Sequence, residues 1–144
     1  MHKLPITIRG YHLDGYGHVN NARYLEFMEE GRWSLFQEFV DLRQLDQAGE
    51  AYVVVNINID YRRAASMHDE LVLLTQVSAY NRRHISVAQQ MVFKDSGKEV
   101  IRAEVTLALM STSTGRSMVI EGAVAELLDK MIATNEHSVT ADNS

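Results

Sequence analysis

The feature that most constrains the fold is one long helix with no purely polar face, followed by four runs typical of strands. Apolar residues of the predicted helix, from about 21 to 40, spread around much of its circumference: Tyr24, Leu25, Phe27, Met28, Trp33, Leu35, Phe36 and Phe39. Such a helix needs apolar cover on several sides. The sequence therefore predicts an α+β fold in which a curved antiparallel β-sheet wraps around this helix.

The strand-like runs cover residues 4–11, 52–62, 71–80, 84–93 and 100–110. In the run 52–62 the residues Val53, Val55, Ile57, Ile59 and Tyr61 point one way, which is the period-2 pattern of a strand with one buried face. Polar segments at 81–83 and 94–98 are typical of hairpin turns. We therefore expect the strands to pair antiparallel in sequence order.

A short strand at 118–120 and a C-terminal helix carrying Val124, Leu128 and Met131 complete the predicted elements. We predict one domain over residues 1–134 and a polar, mobile tail over 135–144. Gly31 lies inside the long helix, where glycine costs about 1 kcal/mol relative to alanine. Either another part of the backbone approaches the helix there, or the glycine is merely tolerated.

Composition excludes several classes of function. The 144-residue chain has a formal net charge of −5, which argues against general nucleic-acid binding. It has no cysteine, so disulfides, thiolate catalysis and cysteine metal sites are absent. No segment reaches the roughly 20 apolar residues of a membrane span, and the first residues lack the apolar core of a signal peptide. We expect a cytoplasmic protein.

The segment from Asp14 to Tyr24 has features typical of a catalytic site. A carboxylate stands just before a turn loosened by Gly15 and Gly17, and the turn opens the long helix near Asn21. Asn20 or Asn21 can cap that helix. The first helical N–H groups lack intrahelical partners and can hold a carbonyl oxygen as it gains negative charge. An upstream carboxylate can then act on the same carbonyl group.

The string Asp14-x-x-x-His18-Val19-Asn20-Asn21-Ala22-Arg23-Tyr24, with this order of elements, resembles the hotdog-fold thioesterases of the 4-hydroxybenzoyl-CoA thioesterase type. The resemblance runs from about residue 6 to 131. The chain is most similar to the bacterial long-chain acyl-CoA thioesterase III group, through the segments 9–14, 24–27, 53–59 and 61–63. The resemblance implies a hotdog fold and a homodimer, often doubled into a homotetramer, with active sites at the subunit interface.

The implied function is hydrolysis of a medium- to long-chain fatty acyl-CoA, as in fatty acid metabolism, to the free acid and coenzyme A, with no metal or redox cofactor. By resemblance Asp14 is the catalytic base or nucleophile, and the Asn21 backbone N–H stabilises the oxyanion. His18 orients the carboxylate, positions water or holds the turn. We expect substrate contacts from Tyr24 and phosphate contacts from the basic residues Arg62, Arg63, Arg82 and Arg83.

Several alternatives stand beside this interpretation. Asp14 can simply cap the helix. A metal site made of His12, Asp14 and His18 is disfavoured, because all three come from one short segment. The helix residues Glu26, Glu29 and Glu30 are rival catalytic carboxylates, although Arg23 and Arg32 lie at a spacing that allows pairing with them.

The polar face of the second strand offers two amides whose role is open. Asn56 and Asn58 either contact substrate or fill a subunit joint. The rival function from another class is a noncatalytic hotdog module that binds acyl-CoA without turnover. An intact Asp14 argues against that module.

Overall fold

The computed structural model describes residues 1–142, with side chains up to Thr134. It contains six strands and three α-helices in this part of the chain: β1 (His2–Thr7), α1 (Asn21–Gln37), α2 (Leu42–Gln47), β2 (Glu50–Tyr61), β3 (Glu70–Tyr80), β4 (Ile85–Phe93), β5 (Glu99–Ser111), β6 (Ser117–Met118) and α3 (Ala123–Asp142). The strand expected over 4–11 ends at Thr7, and a single 3₁₀ turn, Gly10–His12, follows it.

The strands form one antiparallel sheet in the order β1-β3-β4-β5-β2, with β6 paired to β5. The predicted hairpins β3–β4 and β4–β5 are confirmed. The expectation of pairing in strict sequence order is wrong for β2, which pairs with β5. The reason is that β1 occupies the free edge of β3, so β2 completes the opposite side of the sheet.

A β-bulge corrects the predicted face of β2. The pairing register between β2 and β5 shifts at Val55: Val54 pairs with Leu107, whereas Asn56 pairs with Thr106. Because the extra residue reverses the alternation, Tyr52 and Val54 share a face with Ile57, and Val55 is 53% exposed. The prediction that Val53 and Val55 lie on the same face of β2 as Ile57 is therefore wrong.

The core lies between α1 and the concave face of the sheet. Alternate residues of the two central strands are buried on that face: Leu71, Leu73, Thr75 and Val77 in β3, and Ile85, Val87, Gln89 and Met91 in β4. A Cβ atom on Gly31 would stand 2.4 Å from Leu73 Cδ2 and 2.9 Å from Thr75 Oγ1. Gly31 therefore allows α1 to pack closely on β3. The glycine is required by packing, as the first interpretation held, but the close neighbours are side chains and not the backbone expected there.

The C-terminal helix α3 packs against β3. Its residues Val124, Leu128 and Met131 are buried, and the hydroxyl of Tyr80 donates to Asp129 Oδ1 at 2.6 Å. Helix α3 passes through the predicted domain end at 134. The expected tail covers residues 135–144. The side chains of residues 135–142 and the whole of residues 143–144 lie outside the described part of the chain. Among the helices of residues 1–142, none has the length and apolar character to cross a bilayer.

Candidate active site

Asp14 holds the turn that precedes α1. Its Oδ1 accepts hydrogen bonds from the backbone N–H groups of Tyr16 at 2.8 Å and His18 at 3.2 Å. Its own N–H donates to the His18 carbonyl at 2.7 Å. Within the described part of the chain, Oδ2 has no hydrogen-bond partner, and the side chain is exposed. One carboxylate oxygen is therefore fixed while the other is available.

Asn20, not Asp14, caps α1. The Asn20 side chain accepts from the Ala22 N–H at 3.0 Å, and its carbonyl accepts from the Arg23 N–H at 2.9 Å. The alternative in which Asp14 caps this helix is therefore wrong. Asn21 directly precedes these two bonded amides, and its N–H has no partner among the described residues. The helix start thus presents one free donor at the positive end of the helix dipole.

His12 fixes the segment that leads into the motif. Its ring Nδ1 accepts from the Arg9 N–H at 2.9 Å, and its carbonyl accepts from the Asn20 N–H at 2.9 Å. The ring packs edge-on against Phe27, with centroids 5.0 Å apart. Burial, assisted by the charge of Arg23, lowers the pKa of His12. A buried, neutral His12 therefore ties the turn to the helix cap.

One cleft collects most of the predicted site residues. This motif cleft, of about 240 Å³, lies between the start of α1 and the end of β2 and is lined by Asp14, His18, Val19, Asn21, Tyr24, Tyr61, Arg62, Arg63 and Ala64. The structure thus brings together the predicted catalytic residues Asp14, His18 and Asn21 with three of the five predicted substrate contacts.

Two tyrosines form the wall between α1 and β2. The Tyr24 hydroxyl accepts from the Ala65 N–H at 3.4 Å, and burial raises the pKa of Tyr24. The Tyr61 hydroxyl donates to the Asn21 carbonyl at 3.4 Å, and the two rings lie 5.7 Å apart. Tyr61 was not among the predicted site residues, because the alternation grouped it with the apolar face of the strand. Its position directly before the Arg62-Arg63 pair was the available signal.

The two arginines at the mouth of the motif cleft differ in their partners. Arg62 Nε forms an ion pair with Glu99 Oε1 at 3.1 Å, whereas Arg63 donates to the Glu99 backbone carbonyl at 2.9 Å. Burial acts to raise the pKa of Glu99, but hydrogen bonds from Arg102 and Gln90 and the arginine charges hold it below its ordinary value. The charge of Arg62 is thus partly neutralised, and that of Arg63 is not.

Arg82 and Arg83 lie elsewhere. They line a separate cleft of about 200 Å³ at the β3–β4 turn, together with His84, Ala108, Ser117, Met118 and Val119. The side chain of Asn81 shapes this turn by accepting from the N–H groups of Arg83 and His84, both at 2.8 Å. Within one chain, these two arginines therefore do not join the motif cleft.

The rival carboxylates on α1 have other surroundings. Glu26 pairs with Arg23 at 3.1 Å on the exposed face, as the pairing interpretation predicted. Glu29 accepts from Trp33 Nε1 at 3.3 Å and lines a second cleft farther along the helix. No group of three or more metal-binding side chains occurs among the described residues. In that part of the chain, Asp14 is the carboxylate that lines the motif cleft.

A curved antiparallel sheet around a central helix, with a carboxylate and a free helix-start N–H facing one cleft, defines a hotdog-fold protein with an acyl-transfer type of site. The chain belongs to the Thioesterase-like superfamily, whose family model matches residues 9–128. The sequence-based recognition of the family and of the hotdog fold is confirmed.

Individual relatives agree with this assignment. The long-chain acyl-CoA thioesterase FadM of Escherichia coli is 39% identical over 130 residues, which are 90% of this chain and 98% of that protein. The acyl-CoA thioesterase YbgC of Haemophilus influenzae is 31% identical over 62% of this chain and 67% of its own.

Solved structures show the same architecture. The crystal structure of YbaW, a probable thioesterase from E. coli, has a TM-score of 0.83 and 38% identity, covering 90% of this chain and 98% of that chain. The protein SAV2348 of Staphylococcus aureus, solved in complex with CoA, has a TM-score of 0.82 over 91% of this chain and 83% of its own. At 13% identity, the second likeness concerns the fold alone.

Proposed function

We propose that this protein is an acyl-CoA thioesterase that hydrolyses medium- to long-chain fatty acyl-CoA, with Asp14 as the catalytic carboxylate and the Asn21 N–H as the oxyanion donor. The observation that carries the proposal is the pair of unsatisfied groups in the motif cleft: the free Oδ2 of Asp14 and the free N–H of Asn21. The family and its acyl-CoA thioesterase members support the same reaction.

The chemistry follows from these two groups. As a general base, Asp14 takes a proton from water while the water oxygen bonds to the thioester carbon. As a nucleophile, the carboxylate oxygen attacks that carbon itself, loss of the coenzyme A thiolate leaves a mixed anhydride, and water then hydrolyses the anhydride to the free acid and regenerates Asp14. In both routes the carbonyl oxygen becomes an oxyanion that the Asn21 N–H stabilises. The C–S bond then breaks, and the coenzyme A sulfur receives a proton.

The fixed oxygen of Asp14 serves both routes. Two backbone N–H groups hold Oδ1, so the orientation of Oδ2 is set before substrate binds. Such preorganisation avoids reorientation during the reaction. The His18 backbone supplies one of these bonds, and His18 is among the residues that line the cleft. We infer that His18 is a positioning residue, which is the supporting role among those expected for it.

A shallow polar depression continues from the motif cleft toward the expected position of the coenzyme A phosphates. It has a volume of about 510 Å³ and is lined by Asp60, Tyr61, Arg62 and Arg63. Because the charge of Arg63 has no carboxylate partner among the described residues, we propose Arg63 as the principal phosphate contact on this side. Arg82 and Arg83 belong to a separate cleft, and their expected phosphate contacts remain a prediction.

A panel of acyl-CoA substrates from acetyl- to hexadecanoyl-CoA, assayed for release of free thiol, tests the function. We expect turnover that rises toward medium and long chains. An acyl-CoA that binds in a titration but yields no thiol at any chain length would instead identify the noncatalytic binding module.

A further inference from the structure

A second cleft lies at the far end of α1, and the proposed reaction does not use it. This distal cleft, of about 310 Å³, is lined among others by Glu29, Arg32, Trp33, Phe36, Tyr52 and Val54. The β2 residues of this cleft pair regularly with β5 up to Val54, which directly precedes the bulge and is 38% exposed. The cleft therefore combines mostly apolar walls with a few polar side chains, which is typical of small-molecule sites.

Arg32 is held in this cleft without an ion pair. Its Nη1 donates to Gln89 Oε1 at 3.1 Å, and Gln89 is 1% exposed. The orientation of Gln89 is fixed in turn, because its Nε2 donates to the Met28 carbonyl at 2.8 Å and to Thr75 Oγ1 at 3.0 Å. Among the described residues, no carboxylate lies within ion-pair distance of Arg32. Four of its five N–H donors are therefore left for another acceptor.

Burial makes this arrangement costly. Desolvation lowers the pKa of Arg32, and the nearby charge of Glu29 only partly opposes it. A partly buried guanidinium with a single protein acceptor loses part of its hydration and gains little in exchange. An oxygen atom that enters the cleft would restore hydrogen bonds at this side chain.

Tyr52 provides a second unsatisfied donor. Its hydroxyl is buried and has no hydrogen-bond partner in the described part of the chain, while its ring lies 4.9 Å from that of Phe36. Burial raises the pKa of Tyr52 to about 12, so the phenol remains a donor at neutral pH. A buried polar group without a partner is unusual in a native protein and needs an explanation. Among the described residues, Arg32, which has one protein acceptor, and the Tyr52 hydroxyl, which has none, are the side chains of this cleft with donors left over.

A neutral acceptor fits this cleft better than an anionic one. Glu29 lines the same cleft, and its Oε1 accepts from Trp33 Nε1 at 3.3 Å. A second carboxylate beside Glu29 would be repelled. A hydroxyl accepts from Arg32 and can also donate to Glu29, and a keto oxygen accepts without adding charge.

The distal cleft and the motif cleft lie along the same side of α1. The helical period places Asn21, Leu25 and Arg32 on one stripe, and Leu25 between the two clefts is 39% exposed. Both clefts lie between α1 and β2, where Tyr61 contacts the start of the helix and Tyr52 packs against Phe36 farther along it. Eleven residues of helix separate Asn21 from Arg32, which is about 17 Å. That span matches a long acyl chain whose carbonyl lies at the Asn21 N–H.

We infer that the distal cleft receives the far end of the acyl chain and selects chains that carry a neutral oxygen function there, a hydroxyl or a keto group. The inference rests on the proposed thioesterase function, since it extends the same substrate along α1. The same chemistry has a second source, a long-chain alcohol or hydroxy acid bound as a separate molecule. The experiment below separates the two.

The test compares tetradecanoyl-CoA with the analogue that carries a hydroxyl on its last carbon. We expect the wild-type protein to hydrolyse the hydroxylated substrate with at least tenfold higher kcat/KM. Arg32→Met removes the donors at similar size and should abolish most of that preference; Tyr52→Phe should reduce it. Butanoyl-CoA is too short to reach the cleft, so both variants should hydrolyse it with the wild-type kcat/KM. The matched control is Arg116→Met in the β5–β6 turn, which should keep the preference.

Each possible result either supports or overturns the inference. Equal kcat/KM for the two long substrates in the wild type, or a preference that survives Arg32→Met, overturns the inference and leaves a cleft satisfied by water. If butanoyl-CoA and both long substrates are all inert, the proposed function fails, and titration with decanol tests the cleft directly. Decanol should then bind the wild type about tenfold more tightly than Arg32→Met, and equal binding rejects the site. Decanol binding without any preference among the acyl-CoA substrates assigns the cleft to a separate molecule.

Discussion

The orientation of the Asp14 side chain is fixed by its own turn and not by the helix α1, which begins seven residues later. The bonds from Tyr16 and His18 both reach Oδ1, and the cap of α1 comes from Asn20. A carboxylate that only stabilises a turn would tolerate replacement by an amide, because the amide oxygen accepts the same hydrogen bonds. The exchange of Asp14 for asparagine therefore separates the chemical role from the structural one.

We predict that Asp14→Asn lowers kcat by at least about a hundredfold and leaves the fold intact, because general-base catalysis contributes about 10²–10⁴-fold. The measurement is thiol release from a long-chain acyl-CoA, with circular dichroism as the folding check. Asp95→Asn, in the exposed β4–β5 turn, is the matched control and should be fully active. Activity retained in Asp14→Asn would transfer the role to Glu26, Glu29 or Glu30.

The partners of the arginines set the order of their effects on substrate binding. We predict that Arg63→Gln raises KM for acyl-CoA several-fold with little change in kcat, because the phosphates lie away from the reacting carbonyl. Arg62→Gln should do less, since Glu99 already pairs with that side chain. The effect should shrink at high salt, where the Debye length falls to about 3 Å at 1 M.

An N-acetylcysteamine thioester lacks the phosphates and is the control substrate for these variants. Wild type and Arg63→Gln should hydrolyse it equally well. The double replacement of Arg82 and Arg83 tests the separate cleft in the same assay. Wild-type KM for acyl-CoA in every variant would identify all four arginines as solvated surface charges.

At the scale of elements, the contact between α1 and β3 depends on the missing side chain at Gly31. We predict that Gly31→Ala lowers the free energy of unfolding by about 1–3 kcal/mol, because the new Cβ overlaps Leu73 and Thr75 and the crowding outweighs the gain in helix propensity. Denaturant unfolding measures the change. Glu30→Ala, next to it on the exposed face, should shift stability by no more than about 0.5 kcal/mol. A Gly31→Ala protein as stable as the wild type would mean that this helix is free to move away from the sheet.

The connection into α1 should respond to pH through His12. Its pKa is lowered in the folded state, so below the ordinary value of about 6.5 the unfolded chain binds more protons than the folded one. The free energy of unfolding should therefore fall as pH drops through about 6.5, as protonation also removes the acceptor of the Arg9 N–H bond. Denaturant titrations at a series of pH values measure this slope. His12→Gln should flatten it, and an unchanged slope would place the dependence on other groups.

For the whole molecule, the edge position of β2 bears on assembly. In the described part of the chain β2 pairs on one side only, with β5, and carries the exposed Val54 and Val55. Long apolar edge strands are ready to pair with another chain. We predict that the protein is a homo-oligomer, a dimer or tetramer, in which this edge is covered.

Light scattering gives the mass in solution. Val55→Glu should shift the assembly toward smaller species, because it puts a charge on the edge strand. Val119→Glu is the control, since Val119 is similarly exposed at 43% but does not belong to the edge strand β2. A stable and active wild-type monomer would contradict the prediction.

Local features of the fold and the site were predictable where neighbours in sequence decide them. The cap of α1, the hairpin turns and the alternation of β3 to β5 depend on residues a few positions apart, and these features were found with small errors at their ends. The bulge at Val55 was not predictable from alternation, because Val53, Val54 and Val55 are chemically alike. Their register is chosen by the partner strand β5.

The sequence by itself determined that a carboxylate, a turn and a helix start follow one another from Asp14 to Asn21, because that spacing is a property of the chain. Tertiary structure alone decided which of the arginine pairs joins them. Arg62 and Arg63 follow β2, whose end packs beside the start of α1, whereas Arg82 and Arg83 follow β3. Tertiary structure also decided that Arg32 contacts Gln89, since that contact joins residues 57 positions apart. Spacing along a chain fixes local order, but only packing determines which distant groups face the same cleft.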